Sequence, residues 1–158
     1  MCLCVQEEST NINVRNYWPS VVASGAMLLA TDAISRERTL GSYILSVCDF
    51  STSQLSLFAY LQGSSDLLLK FASTYDARAS QLLDQYIYST PTQRNLTTLR
   101  HMILDDGASE RCYNMTDQER TRMIVTWADP ITVYVLTVDE LRSKYIIPYI
   151  LQVSHGDI

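Results

Sequence analysis

Apolar residues dominate the stretch from Val14 to Ile34, VRNYWPSVVASGAMLLATDAI, and after Pro19 they fall on every face of a helix. A helix that is apolar all round is normally surrounded by other helices. Pro19 suits a first helical turn, where its missing N–H would have had no intrahelical partner. The pattern therefore predicts a central core helix from Pro19 to about Ile34. Gly25 is interpreted as a site of close backbone packing, because glycine inside a helix costs about 1 kcal/mol relative to alanine.

Several shorter helices are predicted after this segment. SRERTLGSY, residues 35–43, has the charges and glycine of a solvated turn. The apolar spacing then predicts a short helix ending near Cys48, a long helix from Ser51 to Phe71 with a weak point at Gly63, a helix from Tyr75 to Tyr88, and a short helix over 96–103 that stops at Asp105-Asp106-Gly107.

The last part of the chain mixes helical and strand signals. Thr116 and Glu119 have the spacing of a capping box, which predicts a helix from about Asp117 to Trp127 that Pro130 ends. Residues 131–138, ITVYVLTV, are rich in β-branched side chains and form the one candidate strand. A helix over 138–147 is predicted to break at Pro148.

These elements predict a mainly α fold. We divide the chain into a loose leader over 1–13, a compact helical lobe over 14–92, and a C-terminal helical extension over 93–158 that packs on the lobe and contains the candidate strand.

Composition narrows the functional classes. The net charge of −5 and the scattered basic residues argue against nucleic-acid binding. We find no apolar run long enough to cross a membrane and no basic segment typical of a signal peptide in MCLCVQEEST. We therefore expect a nuclear or cytoplasmic protein. Cys2, Cys4, Cys48 and Cys112 form no C-x-x-C pair, so we expect reduced cysteines and no zinc site.

Two segments match the N-glycosylation sequon, Asn95-Leu96-Thr97 and Asn114-Met115-Thr116. For a chain expected inside the cell, both matches are interpreted as chance.

The candidate chemistry is sparse. Asp105 and Asp106 with His101 could perform acid–base chemistry or bind a metal, but a solvated turn after a helix is the simpler interpretation. Cys112 with His101 could form a nucleophile and base, yet nothing in the sequence fixes their geometry. Ser20 and Ser24 lack the G-x-S-x-G frame of hydrolases, and no glycine-rich phosphate loop is present. We predict a protein that is not an enzyme, with no catalytic, metal or cofactor site.

The ten tyrosines suggest a binding surface. Aromatic residues near the C-terminus, together with two isoleucines, could form an exposed patch of the type enriched in interaction hot spots. They could instead form the edges of the core. The residues are Trp127, Tyr134, Tyr145, Ile146, Ile147 and Tyr149.

The order of the helices from residue 14 to 90 resembles the later part of the second cyclin box in A- and B-type cyclins. In that family, a helix that begins Pro-Ser and is rich in Ala and Leu forms the buried centre of a five-helix lobe, and PSVVASGAMLLA from Pro19 to Ala30 is similar to it. Thr39 to Phe50 followed by Ser51 to Phe71 is similar to the next two helices, and Tyr75 to Tyr86 to the last one.

The resemblance implies a noncatalytic protein-interaction module that regulates a cyclin-dependent kinase, or a truncated or diverged relative. The first cyclin box and the first two helices of the second have no counterpart, so no kinase-contact residue can be carried over. The alternative is a small helical adaptor or viral-type inhibitor that binds an amphipathic partner helix. In both cases we expect a protein partner, and the uncovered core helix would also allow a homodimer.

Overall fold

The computed structural model describes the backbone of residues 4–156 and the side chains of residues 17–156. Within these residues every regular element is a helix, which confirms the mainly α fold. The elements are α1 Cys4–Val47, α2 Thr52–Tyr75, α3 Ala77–Leu83, a π-helical turn Asp84–Tyr88, α4 Pro91–Leu104, α5 Ala108–Asn114, α6 Asp117–Leu141, a π-helical turn Arg142–Ile146 and α7 Ile147–Ser154. Among the described helices, none combines the length and apolar character that crossing a membrane requires.

The core lies between α1 and the helices packed along it, chiefly α2 and α6. One contiguous cluster of buried side chains draws on elements before and after residue 92. Its largest fully buried members are Met27, Ile34 and Ile44 from α1, Phe58 and Leu69 from α2, Leu83, Ile87, Leu96 and Ile103 from the middle of the chain, and Trp127, Ile131 and Tyr134 from α6.

The segment after Pro19 is amphipathic and is not wrapped on all sides. Ala23, Met27 and Ala30 are fully buried, whereas Leu29 on the opposite face is 59% exposed. A side chain at Gly25 would meet open space, so the prediction that Gly25 serves close packing was wrong. Small residues made every face look apolar, but only one face meets other helices.

Helix α1 is much longer than predicted. It contains 44 residues, and Pro19 lies inside it instead of in its first turn. It begins at Cys4, within the segment predicted as a leader, while residues 1–3 lie outside the described residues.

The predicted turn over 35–43 is also helical, and Gly41 explains why. A Cβ built on Gly41 would lie 2.4 Å from the Trp127 ring. The buried indole N–H of Trp127 donates to the carbonyl oxygen of Arg38 over 3.0 Å. The glycine therefore marks the crossing of α1 and α6, where the two helices approach too closely for a side chain, and does not mark a turn.

The candidate strand over 131–138 is part of α6, so that prediction was wrong. The buried residues of α6 recur at helical spacing: Trp127, Ile131, Tyr134, Val138 and Leu141. Burial of this stripe outweighs the modest strand preference of β-branched side chains, which depends strongly on context. Pro130 does not end the helix but lies inside it.

Pro148 does not break the C-terminal helix either. The chain passes from α6 through the π-helical turn Arg142–Ile146 directly into α7, with Pro148 at the start of α7. A π turn widens the helix locally and is a recognised way to accommodate an irregularity without ending it.

Other local predictions are confirmed. α2 continues through Gly63, and the turn after α4 falls at Asp105 to Gly107. Thr116 and Glu119 form the capping box at the start of α6: the Glu119 N–H donates to Thr116 Oγ1 over 3.2 Å, and the Thr116 N–H donates to Glu119 Oε2 over 2.8 Å.

Cys48 and Cys112 form a disulfide, which corrects the expectation of reduced cysteines. Cys48 follows α1 and has a positive φ of 54°, and Cys112 lies in α5. The bond ties the end of α1 to a helix 64 residues later. Such bonds are typical of proteins that fold in an oxidising compartment.

Candidate functional site

A buried ion pair joins α1 to α4 in the interior. Arg100 donates from Nε to Glu37 Oε1 and from Nη2 to Glu37 Oε2, each over 2.7 Å. The side chains are 4% and 0% exposed, respectively. Nη1 of Arg100 also donates to Asp66 of α2 over 3.3 Å. Arg100 thus holds three helices together through two carboxylates.

Burial controls the protonation of this pair. Burial raises the pKa of Glu37 above its ordinary value, and the ion pair with Arg100 offsets only part of that effect. Burial opposes the charge of Arg100, but its bonds to Glu37 outweigh burial and raise its pKa. Tyr134 lies close by, and burial likewise raises its pKa. Because Arg100 already faces two carboxylates, its surroundings do not favour a further anion.

Glu37 is buried, but its two neighbours Arg36 and Arg38 line the protein surface. Arg36 and Arg38 lie on a surface groove between α1 and α2 with a volume of about 510 Å³. Its other lining residues are Ser35, Thr39, Leu40, Tyr43, Leu57 and Leu61. Within 17–156, the lining contains two guanidinium groups and no carboxylate, so it favours a small anion.

Arg36 is exposed, and among the described side chains no acidic group pairs with it. Arg38 is half-buried and donates from Nη1 to Thr132 Oγ1 of α6 over 3.0 Å. The hydroxyls of Ser35 and Thr39 donate to the carbonyls of Thr31 and Ser35. The guanidinium groups are therefore the main donors that the groove offers to a ligand.

The candidate cluster of His101, Asp105 and Asp106 lies at the end of α4 and in the turn after it. His101 is exposed in the last turn of α4, and Asp106 is exposed in the turn that follows it. Asp105 Oδ2 pairs with Arg111 Nη1 over 2.8 Å at the surface. Among the described residues, no group of three potential metal ligands comes together. Cys112 is held in the disulfide and is not available as a nucleophile.

Ser20 has a structural role. Its hydroxyl donates to Asp76 Oδ2 over 2.8 Å in a buried contact. Asp76 in turn caps α3, accepting from the Arg78 N–H. The contact fixes the start of α3 against α1. Ser24 is half-buried on α1.

The aromatic residues do not form one exposed patch. Trp127, Tyr134 and Ile146 are buried in the core. Tyr145 stacks on Tyr86 with the ring centroids 6.4 Å apart. The Arg78 guanidinium lies 3.7 Å from the centre of the Tyr149 ring, a cation–π contact.

Sequence reasoning missed the arginine groove because SRERTLGSY was interpreted as a turn. A helical projection through 35–43 would have separated Glu37 from Arg36 and Arg38. The pairing of Glu37 with Arg100 has no comparable signal, since the two residues are 63 positions apart.

Comparison with protein families decides the affiliation of the chain. The model of the family described as nitrate and nitrite sensing matches residues 3–144. The chain belongs to the nitrate and nitrite sensing family. Comparison with curated proteins and with solved structures gave no significant match.

The family match overturns the resemblance to cyclins. It covers most of the chain, including the part beyond residue 90 that the cyclin resemblance left unexplained. The predictions of a cyclin-like kinase regulator and of a role in the cell cycle were wrong, and so was the alternative of a helical adaptor or viral-type inhibitor. The cyclin resemblance depended on helical spacing, which unrelated helical bundles share.

Proposed function

We propose that this nitrate and nitrite sensing domain is a noncatalytic receptor for nitrate or nitrite, and that the anion binds in the groove between α1 and α2. Membership in the family supports the ligand class. The observation that carries the location is the pair Arg36 and Arg38 on a groove with no described carboxylate in its lining.

Guanidinium groups suit these anions. Nitrate and nitrite are small, planar and singly charged, with oxygen atoms that accept hydrogen bonds in one plane. The planar fork of an arginine donates two parallel hydrogen bonds to such oxygens. Arg36 would supply this contact, and Arg38 would add charge from the neighbouring edge of the groove.

The position of the groove also suggests how binding could reach the interior. Arg36 and Arg38 flank Glu37, whose side chain is bonded to Arg100 on α4. Neutralising the positive charge on one face of this turn of α1 changes the field at the ion pair behind it. We infer that the turn around Glu37 transmits anion binding to α4. A protein partner that receives this signal stays a prediction.

The test is calorimetric titration of the full chain with sodium nitrate and sodium nitrite at constant ionic strength. We expect saturable binding of at least one of the two anions, and no saturable heat with chloride. Arg36→Gln should weaken binding about tenfold or more, because a hydrogen bond to a charged group contributes about 1.5 kcal/mol or more. Arg94→Gln, an exposed arginine of α4 outside the groove, should leave the affinity unchanged.

Two results would contradict the proposal in different ways. Absence of binding of both anions to the unaltered chain would overturn the receptor function. Undiminished binding to the double variant Arg36→Gln, Arg38→Gln would keep the function and reject the groove.

A further inference from the structure

The disulfide bears on whether the two N-glycosylation sequons are chance matches or sites of modification. Cys48 and Cys112 are joined, and a structural disulfide persists where the surroundings are oxidising, as in the secretory pathway or the bacterial periplasm. Of these two environments, the secretory pathway attaches N-glycans to asparagine in Asn-x-Ser/Thr. Asn95 and Asn114 are therefore candidate N-glycosylation sites.

The two sequons differ in backbone conformation. Asn95, Leu96 and Thr97 all lie inside α4. Asn114 is the last residue of α5, Met115 is extended with φ −77° and ψ 144°, and Thr116 is extended with φ −68° and ψ 161°. A sequon is used in surface loops, and only the second one lies in a connection between helices.

The side chain of Asn114 is also accessible. Asn114 and its neighbour Tyr113 are exposed, and so is Thr116. None of these residues lines the groove that contains Arg36 and Arg38. A large polar group on Asn114 would therefore extend into solvent without covering the proposed anion site.

We propose that Asn114 is an N-glycosylation site. The donor is an oligosaccharide linked through pyrophosphate to a lipid. The amide nitrogen Nδ2 of Asn114 forms a bond to C1 of the first sugar, and the bond from C1 to the pyrophosphate oxygen breaks. The lipid pyrophosphate leaves with that electron pair, and the nitrogen loses one proton to a base of the transferase. No oxidant or reductant is consumed.

The proposal is independent of nitrate or nitrite binding. It is incompatible with the predicted nuclear or cytoplasmic location. A chain that stays in the cytosol or nucleus would meet neither an oxidising environment nor the transferase.

The experiment is to express the full chain behind a cleavable secretion signal in cultured mammalian cells. Intact mass is measured before and after treatment with a peptide N-glycosidase, and peptide mapping locates each asparagine that the enzyme converts to aspartate. We expect a removable glycan at Asn114, complete loss of that glycan in Asn114→Gln, and its retention in Asn95→Gln. Chain retained in the cells is analysed in the same way, so that poor secretion does not hide the result.

Thr116→Ser is the matched control. It keeps the hydroxyl that the sequon requires and the oxygen that caps α6, so the glycan at Asn114 should remain. An unmodified Asn114 in the unaltered chain would overturn the proposal, and so would a glycan that maps only to Asn95.

Discussion

The buried pair Glu37 and Arg100 is stabilising only as a pair. Taking two charges out of water is costly, and the bidentate bonds between Arg100 and Glu37 offset part of that cost. Neither charge could be assigned to the interior from the sequence, because Glu37 sits among polar residues and its partner lies on another helix. The spacing of apolar and polar residues predicts secondary structure, but it does not indicate which residues far apart in the sequence are in contact.

Removing Arg100 alone should be strongly destabilising. Arg100→Met leaves the Glu37 carboxylate buried without a cation, and the expected loss is about 3 to 5 kcal/mol of unfolding free energy. The double variant Glu37→Leu, Arg100→Met should recover most of it, since no buried charge is left unpaired and Asp66, which loses its contact with Arg100, is exposed to water. Urea denaturation followed by circular dichroism measures the unfolding free energy of the single and the double variant. A double variant no more stable than Arg100→Met would contradict this account.

The pH dependence of Arg100→Met follows from Glu37. A carboxyl whose folded pKa is raised stabilises the fold fully below its unfolded pKa of about 4.5, and that contribution is lost as the pH rises through the folded value. Without Arg100 the folded pKa of Glu37 rises further. The difference in unfolding free energy between the unaltered chain and Arg100→Met should therefore shrink as the pH falls from 7 toward 4.5. A difference that stays constant would mean that Glu37 does not titrate in this range.

Two glycines of α1 should respond oppositely to alanine. In Gly41→Ala the new Cβ would lie 2.4 Å from the Trp127 ring, and forcing extra volume into a packed site costs about 1 to 3 kcal/mol. Gly25→Ala meets open space and should stabilise the helix by up to about 1 kcal/mol. Urea denaturation of the two variants measures the contrast. Equal effects would show that the α1 and α6 contact is looser than described.

At the scale of elements, the capping box of α6 was predictable because it is local. Both partners lie within four residues, so their spacing fixes the geometry. The helix over 131–138 was not predictable in the same way, because β-branched side chains favour a strand unless a buried stripe at helical spacing outweighs them. The six apolar positions in that stretch fit either pattern until the neighbouring helices are known.

The cap of α6 is worth about 1 kcal/mol to the fold. Thr116→Ala removes the oxygen that accepts from the Glu119 N–H, and loss of such a cap typically costs about 0.5 to 2 kcal/mol. Thr116→Ser should be close to neutral, since serine caps at least as well as threonine. Thermal unfolding of the two variants checks the difference. Equal stability of Thr116→Ala and the unaltered chain would mean that solvent replaces the cap at no cost.

At the scale of the whole molecule, the sequence was sufficient for the fold class but not for the family or the cysteine pairing. Helical periodicity occurs in any helical bundle. It was therefore sufficient to predict helices, but it could not distinguish one helical family from another. The pairing of Cys48 with Cys112 depends on where α1 ends and where α5 packs. Both follow from contacts between elements, and the long extent of α1 was itself hidden by Pro19 and Gly41.

The disulfide should account for a large share of the stability of the fold. It closes a loop between residues 64 positions apart, and cross-links of this length stabilise folded proteins by about 2 to 4 kcal/mol, chiefly by restricting the unfolded chain. Cys48→Ser, Cys112→Ser should therefore lower the urea midpoint to about that of the unaltered chain in reductant, and reductant should not lower it further. Cys2→Ser, Cys4→Ser is the matched control, with the midpoint of the oxidised chain and the same sensitivity to reductant. If reductant destabilised the Cys48→Ser, Cys112→Ser variant as much as the unaltered chain, another pairing would have to be responsible.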